Sequence, residues 1–76
     1  MTKIPVIKAR TVEKIIFKLG FEKARQSGSH VFYRHYDGRT TTIPHHKGRD
    51  ISPILLKKIL KDINISAETF IELLNK

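Results

Sequence analysis

The chain contains no cysteine, few acidic residues and no long apolar run. The absence of cysteine excludes disulfides, thiolate nucleophiles and cysteine-ligated zinc or iron–sulfur sites. No apolar run approaches the roughly 20 residues that a membrane span needs, so no membrane contact is expected. Residues 1–5 also lack the hydrophobic region of a signal peptide. Together these absences favour a protein of the reducing cytoplasm.

Basic side chains are abundant. The chain has 15 Lys and Arg residues and only 7 Asp and Glu residues, which gives a net charge of +8. Residues 1–51 hold eleven of the basic and four of the acidic side chains, so this part of the chain carries a net charge of +7. A basic excess attracts polyanions, of which nucleic acid is the commonest. A basic surface also serves solubility in many small proteins, so charge alone leaves both interpretations open.

The length of 76 residues predicts a single domain over residues 1–76. A chain of this length buries roughly 60% of the surface that its unfolded form exposes. Such a small core leaves no room for a deep catalytic cleft. An active site is therefore expected on an exposed surface, or in a place that a substrate or partner completes.

Residue patterns predict the order of the helices and strands. Apolar residues at helical spacing predict a first helix over residues 9–19, which Gly20 ends. Strand-forming residues predict three strands over residues 21–26, 30–35 and 39–43, with a hairpin turn at Asp37-Gly38. Ser52-Pro53 is typical of a helix start, and Ser66 begins a short final helix. The expected architecture is a two-layer α+β domain whose helices cover one face of an antiparallel sheet.

The side chains of the second predicted strand alternate between two faces. One face carries His30, Phe32 and Arg34, and the other carries Val31, Tyr33 and His35. The pattern does not indicate which face is buried, although His35 is interpreted as a solvated strand residue. A core this small is expected to need the four phenylalanines, which are Phe17, Phe21, Phe32 and Phe70.

The α-β-β-β-α order is also that of the double-stranded-RNA-binding fold, here with a short extra C-terminal helix. Such domains recognise the shape and phosphates of A-form RNA through loops and a helix N-terminus. The helix that Ser52 opens is followed by Lys57 and Lys58 and preceded by Lys47 and Arg49, a setting that suits a phosphate.

Several short segments follow one another in a recognisable order along nearly the whole chain. They are Leu19-Gly20-Phe21 after the amphipathic helix, Gly28-Ser29-His30, the hairpin over residues 34–39, Ile43-Pro44-His45-His46, the helix over residues 56–65, and the ending over residues 70–74. This ordered set resembles the HicA-type toxins of bacterial and archaeal toxin–antitoxin operons, which are small ribonucleases that cleave messenger RNA. The chain departs from that family at Ser52-Pro53 and Asn64, where glycine is frequent, but both are cap positions that these residues can fill.

The resemblance implies a double-stranded-RNA-binding-like fold and a catalytic histidine at His30. It also implies two partners, which are messenger RNA and a HicB-type antitoxin encoded nearby that covers the active surface. Cleavage of RNA without a metal needs a base at the 2′-hydroxyl and an acid at the departing 5′-oxygen, and imidazole suits either role. Beside His30, Gly28 lets the backbone approach a phosphate and Ser29 can donate a hydrogen bond to it.

The second proton-transfer group is left open among Tyr33, His35 and Lys47. No cofactor and no metal are expected, because the histidines lack helical ligand spacing and carboxylates are sparse nearby. The residues predicted to contact RNA, besides Gly28 and Ser29, are Arg34, Arg39, His46, Lys47, Arg49, Lys57 and Lys58.

Two other functions fit the same sequence. One is a double-stranded RNA-binding module that leaves RNA uncut, and the other is an interaction subunit whose basic surface meets an acidic partner. Fold order alone does not separate an enzyme from either of them.

Overall fold

Two helices lie against one face of a three-stranded antiparallel sheet in the computed structural model, which describes residues 4–76, and a third helix packs against both of them. In chain order the elements are β1 (Ile7–Lys8), α1 (Ala9–Lys18), β2 (Phe21–Ser27), β3 (His30–His35), β4 (Thr40–Pro44), β5 (Asp50–Ile51), α2 (Pro53–Ile63) and α3 (Ala67–Leu74). The predicted α+β fold with its α-β-β-β-α order and short C-terminal helix is confirmed.

The main sheet has the order β2-β3-β4, with β3 in the centre. A bulge in β2 between Lys23 and Arg25 shifts its register against β3. The short strands β1 and β5, which were not predicted, pair antiparallel and join Lys8 to Asp50. This pairing holds the start of α1 beside the segment that leads into α2.

The inner face of β3 is the one that carries Val31, Tyr33 and His35, since all three are buried against the helices. His30 and Arg34 therefore lie on the exposed outer face. The interpretation of His35 as a solvated residue is wrong, because the residue is only 7% exposed.

Two of the four phenylalanines lie in the predicted core, and two do not. Phe21 and Phe70 are buried as expected. Phe17 is 43% exposed, because it lies about 100° around the helix from Ile16 and so misses the buried stripe. Phe32 is half-buried on the outer face of β3, where the guanidinium carbon of Arg25 lies 4.4 Å from its ring centroid. The core prediction is wrong for Phe17 and Phe32.

The predicted start and end of α2 are confirmed by their capping geometry. The Ser52 side chain accepts a hydrogen bond from the backbone N–H of Leu55 at 3.2 Å, and proline follows in the first helical turn. Asn64 ends α2 with a φ of 58°, the left-handed conformation in which glycine is common. Among the helices of residues 4–76, none is long and apolar enough to cross a membrane.

Candidate active site and nucleic-acid interface

His30 is the first residue of β3 and follows the turn at Gly28-Ser29. It lies opposite Pro44 in the antiparallel pairing with β4. The backbone N–H of His45 donates to the carbonyl oxygen of Ser29 at 2.7 Å, which extends this contact beyond the strand. The segment after β4 is thereby fixed beside the exposed imidazole of His30.

This arrangement brings His46 next to His30. Their ring centroids lie 5.9 Å apart with an interplanar angle of 84°, and both side chains are exposed. Two imidazoles therefore stand side by side on the surface, on segments that are sixteen positions apart in the sequence.

His46 also lines a groove of about 500 Å³. One wall is the start of α1 with Lys8 and Arg10, and the other is the loop over residues 45–50. Lys47 and Arg49 from that loop add positive charge, and Asp50 contributes a carboxylate. Within residues 4–76, Lys8, Arg10, Lys47 and Arg49 form no ion pair. Their charge is thus available to an anion such as a nucleic-acid phosphate.

Beneath the groove, a polar cluster anchors the neighbour of His46. The hydroxyl of the buried Tyr33 donates a hydrogen bond to the carboxylate of Glu13 on α1. The same hydroxyl lies 2.8 Å from Nε2 of His45, from which it can accept. Lys23 completes the cluster, with its ammonium 3.8 Å from the Glu13 carboxylate. The backbone position of His46 is therefore tied to both the sheet and α1.

Burial raises the pKa of Tyr33 far above its ordinary value, and the hydrogen bond to Glu13 and the negative charge of that carboxylate raise it further. The phenol consequently stays protonated, and its hydroxyl is already engaged below the surface. Tyr33 is in no position to exchange a proton with a substrate at the rim of the groove.

His35 stands at the other end of β3, about 16 Å from His30 along an extended strand. Its Nε2 lies 3.0 Å from the carbonyl oxygen of Leu19, and its Nδ1 accepts the backbone N–H of Asp37 at 3.1 Å. Both ring nitrogens are therefore used inside the fold. Of the three predicted proton-transfer partners of His30, Lys47 alone lies at the groove.

The predicted RNA-contacting residues divide into those at the groove and those elsewhere. His46, Lys47 and Arg49 line the groove. Gly28 and Ser29 lie in the turn that leads into His30, and Gly28 adopts a φ of +59° with open space around it. These five residues and His30 form one continuous area, which we call the His30 surface.

Arg34 shares the outer face of β3 with His30 and is exposed. Lys57 and Lys58 are exposed on α2 outside the groove, and the Lys58 ammonium pairs with Asp62 at 3.6 Å. They remain predicted RNA contacts, but at a distance from the groove lining.

Arg39 has a structural role in this fold. Its Nε donates to the Asp37 carboxylate at 2.8 Å, and its Nη1 donates to the carbonyl oxygen of Ile63 at the end of α2. Its guanidinium also lies 5.2 Å from the ring centroid of Phe21. The hydrogen bond from the Arg39 backbone, together with its side chain and the nearby His35, holds the pKa of Asp37 below its ordinary value. The side chain of Arg39 thus links the hairpin to the end of α2.

Four residues of this region were not predicted from the sequence, and they are Lys8, Arg10, Glu13 and His45. Nothing in the spacing of Lys8 and Arg10 shows that the β1–β5 pairing carries them to the groove. Among residues 4–76, no three histidine, aspartate or glutamate side chains form a group that could hold a metal ion.

Comparison with known proteins gives a family assignment. No curated relative matches this sequence. The family model described as "HicA toxin of bacterial toxin-antitoxin" matches residues 9–65, which include α1, the three-stranded sheet, the groove loop and α2. Because this match covers well over half of the chain, the protein belongs to the HicA toxin family of bacterial toxin–antitoxin systems.

Proposed function

We propose that this toxin is a metal-independent endoribonuclease that cleaves messenger RNA, with His30 as its catalytic residue. The observation that carries the proposal is the position of His30, whose exposed imidazole stands beside a groove lined by unpaired cationic side chains. A groove of this charge attracts the phosphate backbone of RNA, and an imidazole beside it can act on that backbone.

Binding of RNA is assigned first to the groove. Lys47 and Arg49 act as phosphate contacts, joined by Lys8 and Arg10 from the opposite wall. Contacts of this kind position the strand without reading its sequence. Arg34 extends the positive charge over the outer face of the sheet, on the same side as His30. The RNA is therefore expected to cross from the groove onto the sheet and to pass His30 at the boundary.

The turn before His30 suits the approach of a phosphate. A Cβ added at Gly28 would meet nothing within 4 Å, so the outer side of this backbone is open. Ser29 is half-buried and keeps a hydroxyl that can donate a hydrogen bond. His30 then exchanges a proton with the ribose 2′-hydroxyl or the 5′-oxygen, a contribution worth roughly 10²–10⁴-fold in rate.

A toxin of this family has an antitoxin partner. We infer that this partner is of the HicB type and that it covers the His30 surface. The unpaired cations of the groove support this assignment, because a protein that presents carboxylates there would compete directly with RNA.

The test is growth after induction of the wild-type toxin and of His30→Ala without an antitoxin. Wild type is expected to stop growth and to degrade messages, whereas His30→Ala is expected to be harmless and folded, since the side chain that it removes is exposed. Lys61→Ala, which removes an exposed cation of α2, is the matched control and should be as toxic as wild type. Equal toxicity of His30→Ala and wild type would contradict the assignment of His30.

Purified toxin incubated with RNA in the presence of a chelator tests the chemistry itself. Cleavage that continues with the metal removed is the expected result. RNA that is bound but stays intact after long incubation would instead support a non-catalytic RNA-binding module.

A further inference from the structure

Cleavage of RNA by proton transfer needs two groups, and His30 supplies one of them. One group removes the proton from the 2′-hydroxyl, and the other protonates the 5′-oxygen as it leaves. Tyr33 and His35 are both bonded within the fold, as described above. Lysine side chains in general are weaker proton donors than a protonated imidazole near neutral pH, which disfavours Lys47 for this role.

His46 has the position that this second group requires. Its ring centroid lies 5.9 Å from that of His30. A hydrogen bond from a ring nitrogen to a phosphate or ribose oxygen spans about 2.7–3.2 Å. Two imidazoles about 6 Å apart can therefore reach two oxygens of a single phosphodiester linkage between them.

The fold sets the separation of the His30 and His46 rings through contacts of the backbone and of the neighbouring His45. Pairing of His30 with Pro44 and the bond between His45 and the Ser29 carbonyl fix the backbone of His46 against β3. Tyr33 holds the side chain of His45 from below. Such support is what keeps a pair of catalytic groups at a working distance.

We propose that His46 is the second proton-transfer residue and works as a pair with His30, an inference that rests on the proposed ribonuclease function. In the first step one imidazole takes the 2′-hydroxyl proton, and the 2′-oxygen forms a bond to phosphorus. The bond between phosphorus and the 5′-oxygen breaks, and the other ring, as imidazolium, donates its proton to that oxygen. The products are a 2′,3′-cyclic phosphate and a 5′-hydroxyl, and proton exchange with water resets the pair.

Charged and titratable groups face His46 from each element around it. His30 lies on β3, Lys8 and Arg10 come from the start of α1, and Lys47, Arg49 and Asp50 share the groove. His45 adjoins it in the chain and contacts Glu13 behind the groove, with Nε2 3.6 Å from the carboxylate. The pH dependence of the reaction is therefore compared first between wild type and the His46 variants, which leave all of these neighbouring groups in place.

The experiment measures kcat and KM on a short RNA for wild type, His46→Ala and His46→Gln, from about pH 5 to about pH 8, where imidazoles titrate. Wild type is expected to give a bell-shaped profile, because one ring must be neutral and the other protonated. Both variants should lose roughly 10²–10⁴-fold in kcat with little change in KM, and should lose one limb of the bell. Lys47→Ala, as a comparison, should raise KM and keep the bell shape.

A second substrate separates the two roles. When sulfur replaces the bridging 5′-oxygen, the leaving group needs no proton, so a variant that lacks the acid regains its rate. Rescue of the His46 variants identifies His46 as the acid, and rescue of His30→Ala identifies His46 as the base. Failure of this substrate to rescue either variant would overturn the pairing.

The outcomes also separate this inference from the function on which it rests. If wild type cleaves and His30→Ala does not, but the His46 variants keep the wild-type kcat and bell shape, His46 serves only in binding and the inference is wrong. If wild type leaves RNA intact, the proposed function fails and the inference fails with it. Circular dichroism of each variant shows that a loss of rate is not a loss of fold.

Discussion

Gly20 and Gly38 offer a matched pair of substitutions that measures how firmly His35 is held. The two glycines have nearly the same φ, at +97° and +99°. A Cβ at Gly20 would lie 2.9 Å from Nε2 of His35, whereas a Cβ at Gly38 would meet nothing within 4 Å. Alanine therefore meets the same unfavourable φ at both sites, and of the two sites only Gly20 adds a collision.

The expected size of each effect follows from these contacts. An alanine at positive φ costs about 1–2 kcal/mol, of which about 0.4–1 kcal/mol is offset by the lower entropy of the unfolded chain. Gly38→Ala should thus destabilise by about 1 kcal/mol. At Gly20 the His35 ring must also move, although both of its nitrogens are hydrogen-bonded. Loss of such a buried contact adds about 1–3 kcal/mol, for a total of about 2–4 kcal/mol.

Urea and thermal unfolding followed by circular dichroism measure both variants. At about 4–8 °C per kcal/mol for a domain of this size, Gly38→Ala should lower Tm by about 4–8 °C and Gly20→Ala by about 8–30 °C. Equal losses for the two variants would refute the claim that His35 is fixed. In a His35→Ala background the extra cost at Gly20 should vanish, which a double-mutant cycle detects.

Three further predictions concern the core, the phenol beneath the groove and the groove itself. Leu56→Ala should destabilise by about 2–5 kcal/mol in urea unfolding, because Leu56 is fully buried. Tyr33 has a pKa raised by burial, so the stability that it contributes is complete below about pH 10 and is lost as the pH rises above that value. In the folded protein Tyr33 should therefore keep its proton near pH 10 and should form tyrosinate only together with unfolding, which ultraviolet absorbance and circular dichroism follow. Arg49→Gln should reduce the slope of log affinity for RNA against log salt concentration by about 1, whereas Lys61→Gln should leave it unchanged.

Each of these expectations has a result that contradicts it. A cost below about 1 kcal/mol for Leu56→Ala would mean that the core refills the cavity with ease. Formation of tyrosinate by Tyr33 near pH 10 in the folded state would show that this phenol is accessible. Equal salt slopes for wild type and Arg49→Gln would remove Arg49 from the phosphate contacts.

Local signals in the sequence are sufficient for most of the fold. The helix that begins after Ser52 and ends at Asn64 follows from cap residues and apolar spacing, which act over a few residues. The choice of the buried face of β3 does not follow in this way. Phe32 and Tyr33 are both large and apolar, so alternation alone favours neither face, and contact with α1 decides the outcome.

The candidate site was only partly visible in the sequence for a related reason. His30 directly follows a polar turn, and Lys47 and Arg49 lie in a polar loop, so the local composition indicates exposure. The groove wall from Lys8 and Arg10 depends on a two-residue strand pairing, which is too short to leave a pattern. Proximity of His30 and His46 depends on the register between β3 and β4, which is a property of the folded sheet.

The alternation along β3 has a consequence for how mutations act on this toxin. The exposure of His30 and the burial of Val31 depend on each other, because neighbouring residues of a strand point to opposite faces. Insertion or deletion of one residue inside β3, in contrast to the turn before it, would place either the imidazole or the core side chains on the wrong face of the sheet. Such a length change is expected to inactivate the toxin, since the altered strand cannot keep the core and the exposed His30 together.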